Sequence, residues 1–301
     1  MKSGISFLIP TYNSVCVALV TAIARQAEAI AGFGYEVIVA DDGSTQADVI
    51  VRNEAINSLT NCRYIIRRQN VGRASIRNFL ASEAQHHWLV FVDSDVQINN
   101  PTFVSAYLDA TNNRQPIVYG GFKVTDEAGT YKHNLRYAYE RHYCRTQTPA
   151  KRRRHANQHF RSCNFMIRRD VMRSTPMDER MQAYGYEDVM LGKRLKEQGI
   201  SISHIENPVT YSHFETNKTF VEKTEEAIRT LAHFRQDLAG YSRLDQISTF
   251  LRLIHLDLLF SKLFKRTRNR WHSQLCGANP QLVTFQLYKL GYYLECLNHN
   301  E

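Results

Sequence analysis

Apolar runs that end in polar turns alternate with stretches of helical spacing over the first hundred residues. Four of these runs have the character of buried strands: GISFLIPTYNS, YEVIVADDGST, CRYIIRRQN and WLVFVDSD. Helical spacing separates them, for example from Val17 to Ala31. Apolar strands that alternate with helices are typical of a parallel sheet covered on both faces. The pattern therefore predicts an α/β fold with a Rossmann-like, mostly parallel sheet flanked by helices.

The middle of the chain is less regular. IVYGGFKV predicts a strand, residues 126–161 are polar and irregular, and CNFMIRRDVM predicts a strand followed by the start of a helix. GYEDVMLGKRLKEQG predicts a helix that ends at Gly199, and the extended stretch ISISHIENPVTYSHFE follows it.

The C-terminal part is helical from Thr219 onward. The spacing predicts one long helix from Leu244 to about Arg270 and another from Gln281 to Leu297. We therefore expect two domains, an α/β domain at residues 1–218 and a helical extension at residues 219–301.

Composition narrows the environment and the partners. The chain has 301 residues, 43% of them hydrophobic, enough for a sizeable core, and no apolar run approaches the ~18 residues that cross a bilayer. The first residues read as a strand rather than a signal peptide. Six scattered cysteines without a C-x-x-C pair favour reduced thiols in a cytoplasm over a zinc site or a disulfide framework. The net charge of +9 favours anionic partners: phosphates, nucleic acid or an acidic membrane.

Carboxylates follow two of the predicted strands. Asp93 and Asp95 end one strand, and Asp42 belongs to the D-D-G turn that ends another. Ligands of parallel sheets bind at the carboxyl ends of strands, and two oxygen donors near one point suit Mg²⁺ or Mn²⁺ with phosphate oxygens. A solvent-exposed acidic turn without a ligand would have the same sequence. Arg73 and Arg77 follow on the next helix, near the same rim, where ordinary surface arginines could also lie.

Six motifs occur in an order and spacing that resemble a known family. They are FLIPTYNS, VIVADDGST, NVGRASIRN, FVDSDV, CNFMIRRDV and YGYEDVMLGKRLKEQG. Together they resemble the inverting nucleotide-sugar glycosyltransferases of family 2, which have the GT-A fold and include bacterial polysaccharide- and capsule-type transferases. The helix with the acids also resembles those of chondroitin-polymerase-type and polypeptide N-acetylgalactosaminyl-type transferases. The resemblance covers roughly residues 4–215 and ends by about residue 220.

The resemblance implies a binding site for the nucleotide of the donor. Pro10, Thr11 and Tyr12 would border the base, with Tyr12 stacking on it. Asp42 would accept from a ring N–H of the base, and Arg73 would lie near the base and the phosphates. A UDP-sugar is the expected donor, with GDP- and dTDP-sugars as alternatives.

The resemblance also implies a metal and a pocket for the donor sugar. Asp93 would contact the ribose or the metal, Ser94 would join the donor-binding residues, and Asp95 would bind Mn²⁺ or Mg²⁺ directly. His213 lies where relatives often place another metal ligand, although a lone histidine is more often structural. Asn164 would line the sugar pocket.

Asp188 is the implied catalytic base, with Glu187 beside it. The metal would neutralise the leaving diphosphate, and Asp188 would take the proton of the acceptor hydroxyl. A start of a helix favours an ionised carboxylate, so the same pair could also serve only to stabilise the helix. The acceptor would be the hydroxyl of a saccharide or of a lipid-linked saccharide.

Three other functions compete with this interpretation. A nucleotidyltransferase that makes sugar nucleotides would carry a glycine-rich basic loop after the first strand, where this chain has PTYNS. A phosphatase of the D-x-D-x-[TV] kind would carry its acids after the first strand. A basic nucleic-acid-binding protein on a degenerate enzyme fold is favoured only by the run of Arg152 to Arg154, and runs of charge are usually solvated. We therefore expect no nucleic-acid partner.

The polar residues 140–161 predict a mobile loop beside the active site, whose basic run Lys151–Arg154 would bind a phosphorylated donor or acceptor.

The predicted helix from Leu244 carries an apolar stripe that ends in basic residues. Such a helix can bind the anionic inner face of the plasma membrane peripherally, or it can pack on the catalytic domain. The stripe and its basic end comprise Ile247, Leu251, Ile254, Leu256, Leu258, Phe260, Leu263, Phe264, Lys262, Lys265, Arg266, Arg268, Arg270 and Trp271.

Overall fold

Nine strands and the helices between them lie between residues 5 and 211 of the computed structural model, which describes residues 4–112 and 115–300. The strands are β1 (Ile5–Thr11), β2 (Tyr35–Asp41), β3 (Cys62–Ile66), β4 (Trp88–Val92), β5 (Ile117–Tyr119), β6 (Phe122–Val124), β7 (Asn164–Arg168), β8 (Ser203–His204) and β9 (Val209–Tyr211).

A seven-stranded sheet has the order β3-β2-β1-β4-β7-β5-β8. Strands β1, β2, β3 and β4 run parallel, whereas β7 is antiparallel to β4 and to β5. The predicted mostly parallel sheet is therefore confirmed. The chain steps outward from β1 to β2 and β3 and then returns to place β4 on the other side of β1. The crevice at such a reversal is where open α/β sheets bind ligands.

The strands form where the sequence lacks a polar face. All seven residues of β2 and all five of β4 are buried, which requires cover on both sides of the sheet. Helix α1 (Val17–Glu28) shows how that cover is made. It buries Leu19, Val20 and Ile23, which recur at the helical period, and leaves its polar side in solvent.

Helices supply the remaining cover and most of the C-terminal part. They are α2 (Ala47–Glu54), α3 (Arg73–Glu83), α4 (Phe103–Ala110), α5 (Leu135–Thr146), α6 (Pro149–Arg152), α7 (Arg169–Ser174), α8 (Glu187–Glu197), α9 (Asn217–His233), α10 (Arg243–Leu253), α11 (Asp257–Cys276) and α12 (Leu282–Asn300). Over residues 4–112 and 115–300, none of the helices is both long enough and apolar enough to cross a membrane.

The chain divides into two compact units. The first contains the sheet and comprises residues 1–125, 147–182 and 187–212. The second contains α9 to α12 and also takes in α5 and residues 183–186. The second compact unit therefore includes two segments that precede residue 218. The domain boundary at residue 218 stays a prediction.

The interpretation of residues 126–161 as irregular, with a loop at 140–161, is wrong. Helices α5 and α6 and a 3₁₀ turn at Arg153–His155 occupy most of that segment. Arg152 is buried, with its guanidinium 5.1 Å from the centre of the Tyr119 ring. Arg153 donates to the carbonyl of His204 at 3.2 Å. Two of the consecutive basic side chains therefore hold the edge of the sheet, and only Arg154 and Lys151 resemble a solvated run.

The single long helix predicted from Leu244 to Arg270 is two helices. Helix α10 ends at Leu253 and α11 begins at Asp257. His255 between them adopts a left-handed conformation, with φ of 57°. Periodicity did not reveal this break because apolar residues continue at helical spacing through it, without a glycine or proline to mark it.

Candidate active site

The loops that follow β1 and β2 are tied to each other. Asn13 has a φ of 49°, and its side-chain oxygen accepts from the backbone N–H groups of Thr45 and Gln46 at 2.9 and 3.1 Å. Its own N–H donates to the hydroxyl of Ser44 at 2.7 Å. These bonds fix the residue that follows Tyr12. The ring of Tyr12 is 47% exposed and can serve as a stacking platform at the end of β1.

The other two residues predicted beside the base are less accessible. Thr11 is buried and donates from its hydroxyl to the carbonyl of Ser14 at 2.9 Å, so it shapes the turn before Tyr12. Pro10 is partly exposed at the end of β1. Tyr12 is thus the most accessible of the three residues.

Asp42 holds the loop that leads into α3. Its two carboxylate oxygens accept from the N–H groups of Val71 and Gly72 at 3.0 and 3.1 Å. Burial raises the pKa of Asp42, while these two donors and nearby Arg67 lower it. A carboxylate oxygen has a second lone pair, so Asp42 can hold this loop and still accept from a ligand. Asp42 therefore positions the residue that begins α3, Arg73.

Asp93 at the end of β4 pairs with a buried arginine. Arg77 is 2% exposed and donates to Oδ1 of Asp93 at 2.5 Å, and also to the carbonyl of Arg73 at 3.1 Å. The hydroxyl of Tyr211 lies 3.3 Å from the other carboxylate oxygen. A buried guanidinium needs a carboxylate close by to offset the loss of water. The pair of Arg77 and Asp93 therefore holds the end of β4 against α3.

The acid pair fits a divalent metal that is completed by phosphates. Asp95 is exposed, Ser94 is partly exposed, and Asp93 keeps 17% of its side chain accessible. Within the described part of the chain, no three His, Cys, Asp or Glu side chains form a group that could hold a metal. Mg²⁺ is commonly held by one or two carboxylates with phosphate and water oxygens. The two aspartates are thus a donor set of the right kind for a metal bound with a diphosphate.

Glu187 and Asp188 begin α8 in the same unit. Glu187 is buried, with its carboxylate 3.7 Å from the guanidinium of Arg73. Burial raises the pKa of Asp188 to about 6, and the charge of Glu187 acts in the same direction. Arg161, the N–H of Val189 and Arg77 act against that rise. Since Asp188 is partly accessible, it is suited to exchange a proton near neutral pH.

Arg77 connects the two acidic centres. It donates to Asp93 and is close enough to Asp188 to lower the pKa of that carboxyl group. The charges of both aspartates also raise the pKa of the buried thiol of Cys163, although burial is the larger cause. The structure therefore brings Asp93 and Asp188, which are 95 positions apart in the sequence, around the same buried groups.

Arg161 was not among the residues that the motifs singled out. Its guanidinium lies 4.9 Å from the centre of the Phe122 ring, and its charge lowers the pKa values of Asp188 and of Cys163. It precedes the quoted motif CNFMIRRDV by two positions, inside the segment that the sequence predicted to be irregular. The only signal for Arg161 in the sequence was its proximity to that motif. In a chain with many basic residues, one arginine near a motif is not distinctive.

Asn164 braces the start of β7. It is 0% exposed, and its oxygen accepts from the hydroxyl of Tyr107 at 2.7 Å. Its amide nitrogen donates to the carbonyls of Gly121 and Asn207, both at 2.8 Å. These bonds use both of its donors and its acceptor within the protein. Its predicted contact with the donor sugar stays a prediction, while its structural role is direct.

His213 is exposed and belongs to the second unit. Its predicted role as a metal ligand stays a prediction. The six cysteines all lie within the described part of the chain, and none of them forms a disulfide there.

Comparison with known families gives a match over most of the first unit. The family model described as Glycosyl transferase family 2 matches residues 6–175. Chondroitin synthase of Escherichia coli is 34% identical over 109 residues, which are 35% of this chain and 15% of that protein. An uncharacterized glycosyltransferase of Haemophilus influenzae is 26% identical over 128 residues, 42% of this chain and 49% of that protein. The matches thus span less than half of each curated relative.

Solved structures are similar in fold over the whole chain. A crystal structure of S. aureus TarS 1-349 in complex with UDP has a TM-score of 0.54 and 19% identity, covering 100% of this chain and 91% of that one. The mannosyltransferase PcManGT from Pyrobaculum calidifontis, in complex with GDP-Man and Mn²⁺, has a TM-score of 0.55 and 11% identity, covering 100% and 87%. With the sheet described above, these likenesses confirm the predicted GT-A fold and its helical C-terminal region.

Proposed function

Because this chain belongs to glycosyl transferase family 2 and is a glycosyltransferase, we propose that it moves a sugar from a UDP-sugar to a hydroxyl with inversion at the anomeric carbon. The observation that carries the proposal is the shared environment of Asp93 and Asp188. Arg77 binds the first of these carboxylates and lowers the pKa of the second. One acid is thus suited to the diphosphate side of a donor, and the other to proton transfer.

The nucleotide would bind at the ends of β1 and β2. The exposed ring of Tyr12 offers a stacking face, with Pro10 and Thr11 forming the adjacent turn. Asp42 has free lone pairs for an N–H of the base, and Arg73, with 48% of its side chain exposed, can reach a phosphate. UDP and GDP-Man in structures of similar fold are compatible with a nucleotide at this edge. We infer uracil as the base from the resemblance of the whole motif set.

A divalent metal would be held by Asp95 and Asp93, with Ser94 among the donor-binding residues and His213 as a further candidate ligand. When bound, Mn²⁺ or Mg²⁺ supplies positive charge that stabilises the departing diphosphate. Arg77 keeps Asp93 at the strand end by holding one of its oxygens, and Asp95, two residues further on, is exposed to solvent. Mn²⁺ in the structure of PcManGT supports this assignment.

Asp188 would act as the general base and remove the proton of the acceptor hydroxyl as the hydroxyl attacks the anomeric carbon. A pKa of about 6 leaves the carboxylate mostly ionised at neutral pH, yet basic enough to accept a proton. Glu187 contributes to that pKa through its charge, and Arg161 and Arg77 offset part of its effect. Attack from the side opposite the leaving group inverts the anomeric configuration. Asn164 would line the pocket of the transferred sugar.

The acceptor would be a saccharide or a lipid-linked saccharide, and the reaction would contribute to bacterial polysaccharide synthesis in the cytoplasm. The similarity to chondroitin synthase supports a saccharide acceptor. The free state of all six cysteines supports a reducing compartment. The bound donor would be a hexosyl or an N-acetylhexosaminyl nucleotide, and no nucleic acid takes part.

Donor binding is the first test. UDP with Mn²⁺ should raise the melting temperature of the wild type, because a ligand that binds only the native state stabilises it. Asp95→Ala should abolish the part of the shift that requires Mn²⁺. Asp109→Ala, which removes another exposed aspartate on α4, should leave the shift unchanged.

Product stereochemistry is the second test. NMR of the transferred product should show the anomeric configuration opposite to that of the donor. Retained configuration would exclude the single displacement, and full activity in excess EDTA would exclude the metal.

A further inference from the structure

The second unit exposes large apolar side chains where α10 meets α11. Four of them are more than half exposed: Phe250 at 58%, Leu253 at 76%, and Leu258 and Leu259 at 66% each. Single exposed apolar residues are ordinary, but a group of them at the junction of two helices marks an interaction surface. We call this group the apolar corner, and its less exposed members are Ile247, Ile254, Leu256 and Leu263.

The apolar corner is held by backbone hydrogen bonds. The N–H of Leu256 donates to the carbonyl of Leu251 at 2.9 Å, and the N–H of His255 donates to the carbonyl of Arg252 at 3.1 Å. This pair of bonds, with His255 in the left-handed region, is the Schellman arrangement that ends a helix. The turn that joins the two helices of the corner is therefore ordered.

One face of α11 changes character along its length. Leu258 and Leu259 are exposed in its first turn, and one turn further along, the exposed Lys262 continues the row of Leu258. Arg266 and Arg270 follow at the same spacing of four residues, and both are exposed. The solvent side of α11 thus begins apolar at the corner and becomes basic toward its C-terminal end.

The charge of the two helices is strongly positive. Residues 243–276 contain seven Lys and Arg side chains against two Asp, a net charge of +5. One of the two acids, Asp245, is already bound by Arg235 at 2.7 Å and by the hydroxyl of Tyr293 at 2.8 Å. A symmetric contact between two copies would bring two such basic faces together, which like charges oppose. An apolar group beside an array of cations is instead complementary to an anionic lipid surface.

We propose that the apolar corner inserts into the interface of an anionic lipid bilayer while Lys262, Arg266 and Arg270 bind the headgroups. Leu258 and Leu259 enter the acyl boundary, and the basic stretch of α11 lies along the phosphates. Each cation near such a surface strengthens binding by about fivefold at low salt and less at high salt. The proposal does not depend on the sugar-transfer reaction, because all the residues that carry it lie outside the candidate active site.

Vesicle co-sedimentation of the full chain tests the proposal. The wild type should bind vesicles of phosphatidylcholine with 30 mol% phosphatidylglycerol at 50 mM NaCl. Binding should fall by at least about tenfold at 500 mM NaCl and with phosphatidylcholine alone. Binding that is equal on neutral and anionic vesicles would overturn the role of the cations.

Matched variants separate the corner from general surface effects. Leu258→Ser with Leu259→Ser should lower vesicle affinity by at least about tenfold, since two exposed leucines can no longer be buried. Val283→Ser with Val51→Ser removes equally exposed apolar side chains outside the corner and should change nothing. Because all four side chains are exposed, both variants should fold, and melting temperatures check this.

A second copy and a protein partner are the competing occupants. If the wild type is a dimer by light scattering, if Leu258→Ser with Leu259→Ser is a monomer, and if neither binds anionic vesicles, the corner is a dimer interface and the proposal fails. If the wild type is a monomer that ignores anionic vesicles at 50 mM NaCl, the proposal also fails. Binding of UDP to the double variant, measured in the same preparation, keeps this outcome separate from the proposed function.

Discussion

Replacing Arg77 by Met should destabilise the first unit and also change the catalytic pH dependence. Arg77 is 2% exposed and its guanidinium lies 2.5 Å from Asp93. Breaking a buried pair costs about 3–5 kcal/mol, because one charge is left without its partner. Asp93 keeps 17% of its side chain exposed and also accepts from Tyr211, so part of that cost is relieved. We expect a loss of about 2–3 kcal/mol in the free energy of unfolding, roughly a 30- to 150-fold change in the folding equilibrium.

Arg63 provides the matched control. Its pair with Glu83 has a similar length, 2.9 Å, but the side chains are 39% and 35% exposed. Exposed pairs contribute about 0–1 kcal/mol, so Arg63→Met should lie within that range. Urea unfolding followed by circular dichroism measures both variants. The combination of Arg77→Met with Asp93→Asn should recover at least about half of the lost free energy of unfolding, since it also removes the unpaired charge of Asp93.

The catalytic consequence follows from the contact of Arg77 with the second acid. Its charge lowers the pKa of Asp188, so Arg77→Met should raise that pKa and move the acidic limb of kcat/KM to higher pH. Arg63→Met should leave the limb in place. An Arg77→Met variant no less stable than Arg63→Met, or an acidic limb that moves to lower pH, would contradict these roles of Arg77.

Three further outcomes are expected. Gly43→Ala, at a φ of 76° and with its new Cβ 2.7 Å from backbone, should cost about 2–4 kcal/mol in urea unfolding, whereas Gly129→Ala, at a φ of 67° in open space, should cost only about 1. Because the folded pKa of Asp188 is raised, its ionisation costs stability as pH rises through about 6, so Asp188→Asn should be more stable than the wild type at pH 8, by on the order of 1–3 kcal/mol, and similar at pH 4, which thermal melts at both pH values check. Arg152→Met should lower the free energy of unfolding by about 1–3 kcal/mol because the buried guanidinium is lost, and Arg154→Met should stay within about 0.5.

The strands and their polar ends were predictable because local pattern determines them. A run such as WLVFV has no polar face, and it forms a buried strand that ends where the acids begin. The positions of Asp93 and Asp95 at a strand end follow directly from that pattern. Their order along the chain, with the other motifs, also gave the family.

Long-range pairing was not predictable from one sequence. Arg77 looks like any helical arginine, and only the return of β4 beside β1 places it against Asp93. Arg152 belongs to a basic run whose ordinary position is in solvent, yet it is buried with its guanidinium over the ring of Tyr119. The break between α10 and α11 at His255 was not predicted, because the two hydrogen bonds that end α10 form between backbone groups. The pattern of side chains carries no information on such bonds.

Turnover of the Asp188→Asn variant tests the central claim most directly. The amide keeps the size of the side chain and removes its basicity, so kcat with a UDP-sugar and its acceptor should fall by at least about 10²-fold while the affinity for UDP stays within about twofold. Glu197→Gln, an exposed acid at the other end of α8, should retain full turnover in the same assay. A kcat of Asp188→Asn within about threefold of the wild type would contradict the role of Asp188 as the catalytic base.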